Sequence, residues 1–352
     1  MTWEELDWPA LERLREKFLR SAAVSESYWE SPGDLASYDF TFGERIGWKW
    51  DHVLRELRLR GWRPRSRRVF DWGCGSGVAA RRVISFFGAD AFDELAVWDH
   101  SPLACDFAAA AAERAFPSIR TAQATPGLLA SSEPVGLLIV SHVLNELAPE
   151  ALASLRALAA RAEEIIWVEP GTHQVSRALG SLREELRTTF QLVAPCTHQN
   201  SCPIMAPGNE RHWCHHFAPP PSEIFADSNW VKFGQRAGID LRSLPYSFLV
   251  LTRHDMPPGP GTGSEPAILS RIVGRPEHFK AYARLLNCDA SGLAELELPK
   301  RADPALYKQL DRTKAPLVYR WRRDGLKLLG GEPLTLPAPE AGTAALDSTQ
   351  PL

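Results

Sequence analysis

Arg68-Val69-Phe70-Asp71-Trp72-Gly73-Cys74-Gly75-Ser76-Gly77-Val78-Ala79-Ala80 is the stretch that decides the fold. A short apolar strand ends on Asp71, passes through three alternate glycines and opens into a helix. Glycine lets the backbone turn sharply and approach a ligand that any Cβ would block. The first turn of the helix adds free N–H groups. The spacing is Gly-x-Gly-x-Gly, without the third glycine of the dinucleotide fingerprint. A plain turn explains one such glycine but hardly three.

The segments downstream repeat the strand–helix alternation. Glu94-Leu95-Ala96-Val97-Trp98-Asp99 is a second apolar strand ending in an acid, 28 residues after Asp71. An acid at that place in a doubly wound sheet can accept the ribose hydroxyls of a nucleoside. Pro102 starts an Ala-rich helix through Ala115, with proline in the tolerated first turn. Val135 to Val140 is a third strand, and Ser141-His142-Val143-Leu144-Asn145-Glu146-Leu147 stands at its carboxyl end. A helix over Ala151–Ala162 and a strand over Glu164–Val168 follow. The alternation implies an α/β fold with a parallel sheet covered on both faces, which binds ligands beyond the carboxyl ends of its strands.

Around this centre, residues 1–64 read as a helical N-terminal subdomain. Trp50, Val53, Leu54 and Leu57 fall on one face of a helix over Ile46–Leu59. Residues 65–252 form the nucleoside-binding domain, and Phe248–Thr252 its last strand. Residues 253–266 are rich in proline and glycine and read as a linker. Residues 267–330 suggest a small β-rich module, and residues 331–352 a disordered tail. No apolar run approaches the roughly 20 residues of a membrane span. The acidic start, Met1-Thr2-Trp3-Glu4-Glu5, lacks a signal or transit pattern, so the expectation is a reducing cytoplasm. Abundant arginine and alanine point to a bacterial source.

A net charge of −3 hides local basic runs. Arg55, Arg58, Arg60, Arg63, Arg65, Arg67 and Arg68 lie within fourteen residues, and Arg320, Arg322, Arg323 and Lys327 make a second run. The plain reading is a solvated face. The competing one, with Trp62 interleaved, is a surface for RNA phosphates.

Cysteines are crowded into Ala194-Pro195-Cys196-Thr197-His198-Gln199-Asn200-Ser201-Cys202-Pro203 and His212-Trp213-Cys214-His215-His216. Three of the six fall within nineteen residues. Prolines and glycine keep this insertion, 194–221, out of long helix or strand. In a reducing compartment such crowding points to metal rather than disulfides. Zinc would accept three thiolates with His198 or His215. An iron–sulfur cluster needs a fourth cysteine, for which Cys288 in the β-rich module is the candidate. Spacing alone leaves the two open, although the absence of Cys-x3-Cys-x2-Cys disfavours radical chemistry.

Asp71-x-Gly73-x-Gly75-x-Gly77 with Asp99 at the next strand end resembles the class I S-adenosylmethionine-dependent methyltransferase fold. The resemblance implies that the glycine loop meets the methionine part of the cofactor, Asp99 the ribose, and residues near Gln123–Thr125 the adenine; His142 joins the expected cofactor-binding set. Together with Ser141-His142-Val143-Leu144-Asn145-Glu146-Leu147, Val168-Glu169-Pro170-Gly171 and the cysteine segments, the chain is similar to the methyltransferase-like proteins of the mitochondrial small ribosomal subunit and their bacterial relatives. Over about 40–325 this implies that Cys196, Cys202, Cys214 and Cys288 ligate a 4Fe-4S cluster, and that the partner is small-subunit ribosomal RNA rather than DNA or membrane. Three functions follow: a methyltransferase acting on that RNA or its assembly intermediates, a non-catalytic assembly factor that binds S-adenosylmethionine and RNA, or a small-molecule methyltransferase with a zinc-stabilised insertion. No Asn/Asp-Pro-Pro-Tyr loop follows Val140, so no catalytic residue is assigned.

Overall fold

The computed structural model describes residues 1–19, 28–255, 268–311 and 316–335. Eight strands form one sheet: β1 (Arg68–Trp72), β2 (Glu94–Trp98), β3 (Arg120–Gln123), β4 (Gly136–Ser141), β5 (Ala162–Pro170), β6 (Gln191–Ala194), β7 (His216–Ala218) and β8 (Leu244–Thr252). Their order is β3-β2-β1-β4-β5-β8-β6, with β7 also pairing β8. The first five run parallel, while β8 is antiparallel to β5, β6 and β7.

The central strands read as unbroken apolar runs because both of their faces are covered. Leu137, Leu138, Ile139 and Val140 of β4 and Ile165 to Val168 of β5 are fully buried. The strand order reverses between β1 and β4, which makes that boundary the topological switch point. The fold is thus the doubly wound α/β class expected, with a final antiparallel pair at one side.

The N-terminal helices Trp8–Leu19, Pro32–Tyr38 and Glu44–Leu59 lie on this sheet. Trp50, Val53, Leu54 and Leu57 share one core with Val69, Leu95, Leu137 and Ile139. The indole of Trp50 donates to Ser141 Oγ at the end of β4 (3.0 Å). Trp62 is buried in that same core and packs edge-on against Phe87, so it is not available for stacking on a base. Among the arginines of the first run, Arg55, Arg58, Arg63, Arg65, Arg67 and Arg68 are exposed, and Arg60 is buried.

The β-rich module is a closed barrel of β9 (Leu269–His278), β10 (Tyr282–Asp289), β11 (Gly292–Pro299), β12 (Val318–Asp324) and β13 (Lys327–Pro333), in the order β10-β11-β13-β12-β9. Closure hides the strand edges that an open five-stranded sheet would expose. Ile272, Leu285, Leu296, Leu298, Tyr319 and Leu328 fill the interior. Strand β13 runs past residue 330, where the tail was expected to begin. Residues 256–267 of the expected linker region and 336–352 of the expected tail lie outside the described residues. Among the described residues no helix is long and apolar enough to cross a membrane.

One buried ionic knot joins helix, sheet and barrel. Glu56 Oε1 accepts from Arg60 Nε (2.9 Å) and from Arg271 Nη1 of β9 (2.5 Å). Arg60 also donates to the carbonyls of Val193, Pro195 and Cys196. Burial pulls the Glu56 carboxyl up, but Arg271 and Arg60 outweigh it and hold it down at about 2. A carboxyl depressed from its ordinary 4.5 contributes stability that is complete above that value and lost as pH falls to about 2. At about 1.4 kcal/mol per unit the contribution is about 3 kcal/mol. Glu56→Gln is therefore expected to lower unfolding free energy by about 3 kcal/mol near neutrality, since it leaves buried cations uncompensated. Urea titrations of both proteins should show the difference narrowing steadily between pH about 4.5 and 2.

Candidate cofactor crevice and cysteine centre

The three loop glycines each have positive φ: 70° at Gly73, 51° at Gly75 and 75° at Gly77. Their surroundings differ. A Cβ on Gly73 would stand 2.7 Å from Val143 Cγ1, and one on Gly77 2.9 Å from Ala108 Cβ. A Cβ on Gly75 would meet nothing within 4 Å. The outer glycines thus allow close packing, and the middle one faces open space. The amides of Gly73 and Cys74 both donate to Trp98 O, which ties the loop to β2 (2.7 and 3.0 Å).

Asp99, just beyond β2, accepts from Gly75 N and from Ser101 N, each at 3.0 Å. His100 Nδ1 lies 3.2 Å from the same carboxyl. Asp71 is fully buried, and neither of its carboxyl oxygens has a hydrogen-bond partner among side-chain or backbone groups within bonding geometry. Burial pushes it up to about 7. Trp72 and Trp98 stack across the β1–β2 pair at 4.9 Å. Gln123, expected near adenine, ends β3 and donates to Asp106 Oδ1 (2.6 Å) on the preceding helix, Pro102–Ala115.

The carboxyl end of β4 carries the second half of the crevice. His142 has φ 57°, the one positive value on a non-glycine residue among the described residues. Its Nε2 lies 3.0 Å from Lys49 Nζ, and its Nδ1 3.3 Å from Ser141 Oγ. Glu169, at the end of β5, accepts from Val143 N, Leu144 N and Trp167 Nε1. Burial pushes it up to about 8 against those three bonds. Glu146 is likewise raised by burial to about 7 and accepts from Tyr28 OH. Burial also draws Lys49 down to about 7. Several groups titrating near neutrality around one strand-end crevice are a mark of a functional site. Lys49, Glu146 and Glu169 were not singled out in the sequence; only burial, which composition does not disclose, distinguishes them. A separate cleft of about 510 Å3, lined by His52, Arg55, Pro219, Pro221 and Pro316, includes none of the loop glycines.

The structure draws the four distant cysteines into one region. Cys196 follows β6, Cys202 precedes a short turn over Pro203–Met205, Cys214 precedes β7 and Cys288 lies in β10. All are free thiols. Burial raises the Cys288 thiol, and Cys196, Cys214 and Cys202 raise it further, so the four are within electrostatic reach of one another. His198 Nε2 is 4.0 Å from Cys288 Sγ, and His216 Nε2 3.7 Å from Cys214 Sγ. His215, the other expected zinc donor, stacks on Trp213. Arg60, Arg183 and Arg271 are buried beside the thiols. Arg183 Nε and Arg271 Nε and Nη2 lack hydrogen-bond partners. Among the described residues, no three His, Cys, Asp or Glu side chains are grouped as one bound ion requires. The four thiols and two histidines are donor types that a metal centre could use, set among buried guanidinium groups.

Residues 52–310, well over half of the sequence, match the model of a protein family described as Rsm22, mitochondrial small ribosomal subunit. The chain belongs to the Rsm22 family. No curated protein matches it significantly. Among solved structures, magnesium protoporphyrin IX methyltransferase of Synechocystis with bound SAH is 16% identical, covering 71% of this chain and 97% of that one at a TM-score of 0.38. An O-methyltransferase family protein of Burkholderia thailandensis is 15% identical, covering 72% and 70% at 0.37. The 16S rRNA methylase RmtB is 16% identical, covering 53% and 69% at 0.33. Likenesses this distant carry no functional weight, and the strand order supports the fold independently. The Rsm22 match includes the glycine loop and all four clustered cysteines but begins after Lys49.

Gly77→Ala should lose more stability than Gly75→Ala. Both force a side chain into left-handed backbone, at about 1–2 kcal/mol, but only at Gly77 does the new methyl collide with Ala108. Urea midpoints of the two variants measure the difference; equal losses would mean the helix contact yields freely.

Proposed function

We propose that this Rsm22-family protein binds S-adenosylmethionine beside Gly73–Gly77 and transfers its methyl group to small-subunit ribosomal RNA or an assembly intermediate. The observation that carries the reading is the family match, which takes in the nucleoside-type crevice and the cysteine centre together. When bound, S-adenosylmethionine supplies an electrophilic methyl group on a positively charged sulfur. Asp71, Gly73, Gly75, Gly77, Asp99 and His142 are the residues that would hold it, Asp99 through the ribose. Exposed arginines ahead of β1 supply phosphate contacts.

Cys196, Cys202, Cys214 and Cys288 would hold a 4Fe-4S cluster with a structural role. It would staple the insertion at 194–221 to the module at 267–330. Zinc held by three of these thiolates with His198 or His215 is the other reading of the same donor set. Three buried arginines against the carboxylates of Glu56 and Glu184 leave one positive charge over, which favours a negatively charged centre. This chemistry suits a reducing cytoplasm, bacterial in our reading.

Anaerobic purification should yield brown protein with roughly four irons per chain, and Cys202→Ser should bleach it while cofactor binding persists. Colourless protein with one zinc per chain would replace the cluster by a zinc site. Asp99→Ala should weaken S-adenosylmethionine about tenfold or more, as loss of a charged hydrogen bond does, with metal content unchanged. Labelled methyl incorporation into small subunits from a deletion strain tests turnover. Salt-dependent RNA binding without incorporation would leave a non-catalytic assembly factor that binds cofactor and RNA.

A further inference from the structure

The helix Glu44–Leu59 brings one amine to the crevice. Lys49 is 9% exposed, and its Nζ lies 3.0 Å from His142 Nε2. Lys49 forms no ion pair among the described residues. Its partner sits at the carboxyl end of β4, on the switch point, in left-handed backbone that costs a non-glycine residue energy. The imidazole is held there from its other side by Ser141 Oγ, which Trp50 Nε1 fixes in turn. A lysine ordered against a neutral imidazole, without a carboxylate, is not a structural ion pair.

We infer that Lys49 and His142 form an amine–imidazole pair that takes up the proton released by a methyl-accepting N–H group of a nucleobase. The inference rests on the methyl-transfer reading above and names its acceptor chemistry. In the step, the acceptor nitrogen forms a bond to the methyl carbon. The carbon–sulfur bond breaks, and its electron pair stays on sulfur. The surplus proton on nitrogen passes to the Lys49 amine, and His142 accepts a hydrogen bond from the resulting ammonium.

The electrostatic surroundings agree with this role. Burial and then Arg45, one turn earlier on the helix, draw Lys49 down to about 7, and Glu169 on β5 opposes them. Burial, Lys49 and Arg45 keep His142 well below its ordinary value. An amine drawn down to about 7 is partly unprotonated at neutral pH, so it can accept a proton and repels a sulfonium less than an ordinary lysine would.

The test compares S-adenosylmethionine, which is cationic at sulfur, with S-adenosylhomocysteine, which is not. Dissociation constants of both are measured by calorimetry on the full chain from pH 6 to 9. Protonating Lys49 should penalise the cation selectively, so the ratio of the two constants should rise at least threefold between pH 8 and 6. Lys49→Met should shrink that rise to the part contributed by protonation of Asp71, Glu146 and Glu169. His142→Asn, chosen because asparagine tolerates positive φ, should move the break to a different pH and guards against misfolding of the first variant. If methyl transfer is detected, Lys49→Met should lower kcat about a hundredfold or more with KM for the cofactor within threefold. A ratio independent of pH in the unaltered protein, or the same slope in Lys49→Met, overturns the pair. Failure to bind either compound at any pH overturns the cofactor reading itself, a result of a different kind.

Discussion

Two arginines against one carboxylate, in the dry interior, fix how the parts of this molecule sit together. Glu56 belongs to the helix Glu44–Leu59, Arg60 ends that helix, and Arg271 reaches over from the barrel. A buried pair of this kind contributes little net stability by its existence, because desolvation offsets attraction. Its effect is to make every alternative placement expensive: a barrel docked elsewhere would strand a guanidinium without its partner. Arg60 adds the carbonyls of Val193, Pro195 and Cys196, satisfying backbone that has left the sheet and would otherwise be buried unpaired.

The knot is not neutral. Two cations meet one anion, while Arg183 is paired with Glu184, so one positive charge is left over. The excess faces the thiols of Cys196, Cys202 and Cys214. Protonated thiols cannot offset it, whereas thiolates gathered on a metal centre can. The crevice has the opposite bias. Asp71, Asp99, Glu146 and Glu169 crowd the strand ends, and burial raises all four carboxyls. Carboxyls pushed toward neutrality are relieved by a cation arriving beside them. The two regions therefore differ in the sign of their buried charge, positive beside the cysteines and carboxyl-rich at the strand ends.

How much of this was legible in the sequence follows from the range of each interaction. The doubly wound sheet could be read because strand, glycine loop and helix are local patterns of a few residues, and Asp71 and Asp99 end their strands in plain sight. Barrel closure could not, since it depends on pairings such as Val318 with Arg271, made between segments far apart in the chain. The arginine run shows the same limit. Composition gives seven similar side chains, and only the fold separates Arg60, turned inward to Glu56, from Arg58, which lies over the Phe86 ring. Trp62 is in register with those arginines but serves the core. Lys49, flanked by Trp48 and Trp50, carries no signal at all until His142 appears opposite it. Cysteines are rare enough that proximity in sequence was informative for three of them, while Cys288 needed the barrel to bring it near.

Helix geometry also sets the distance between the two sites. Lys49, Val53, Glu56 and Arg60 follow one another at intervals of four, three and four residues, so they occupy a single stripe of the helix. Lys49 and Glu56 are two turns apart, about 10 Å along the axis. Val53, fully buried between them, keeps the stripe against the sheet. A two-turn segment packed on one face is stiff, so it cannot shift at one end alone. The opposite end is restrained by Trp50 on Ser141 and by Lys49 on His142, two bonds that share the strained turn after β4. The positive φ of His142 is held there by the bond from its amide to Val168 O and by its ring contacts with Lys49 and Ser141. The helix Glu44–Leu59 thus ties the knot beside the cysteines to the turn after β4 through one stripe of side chains.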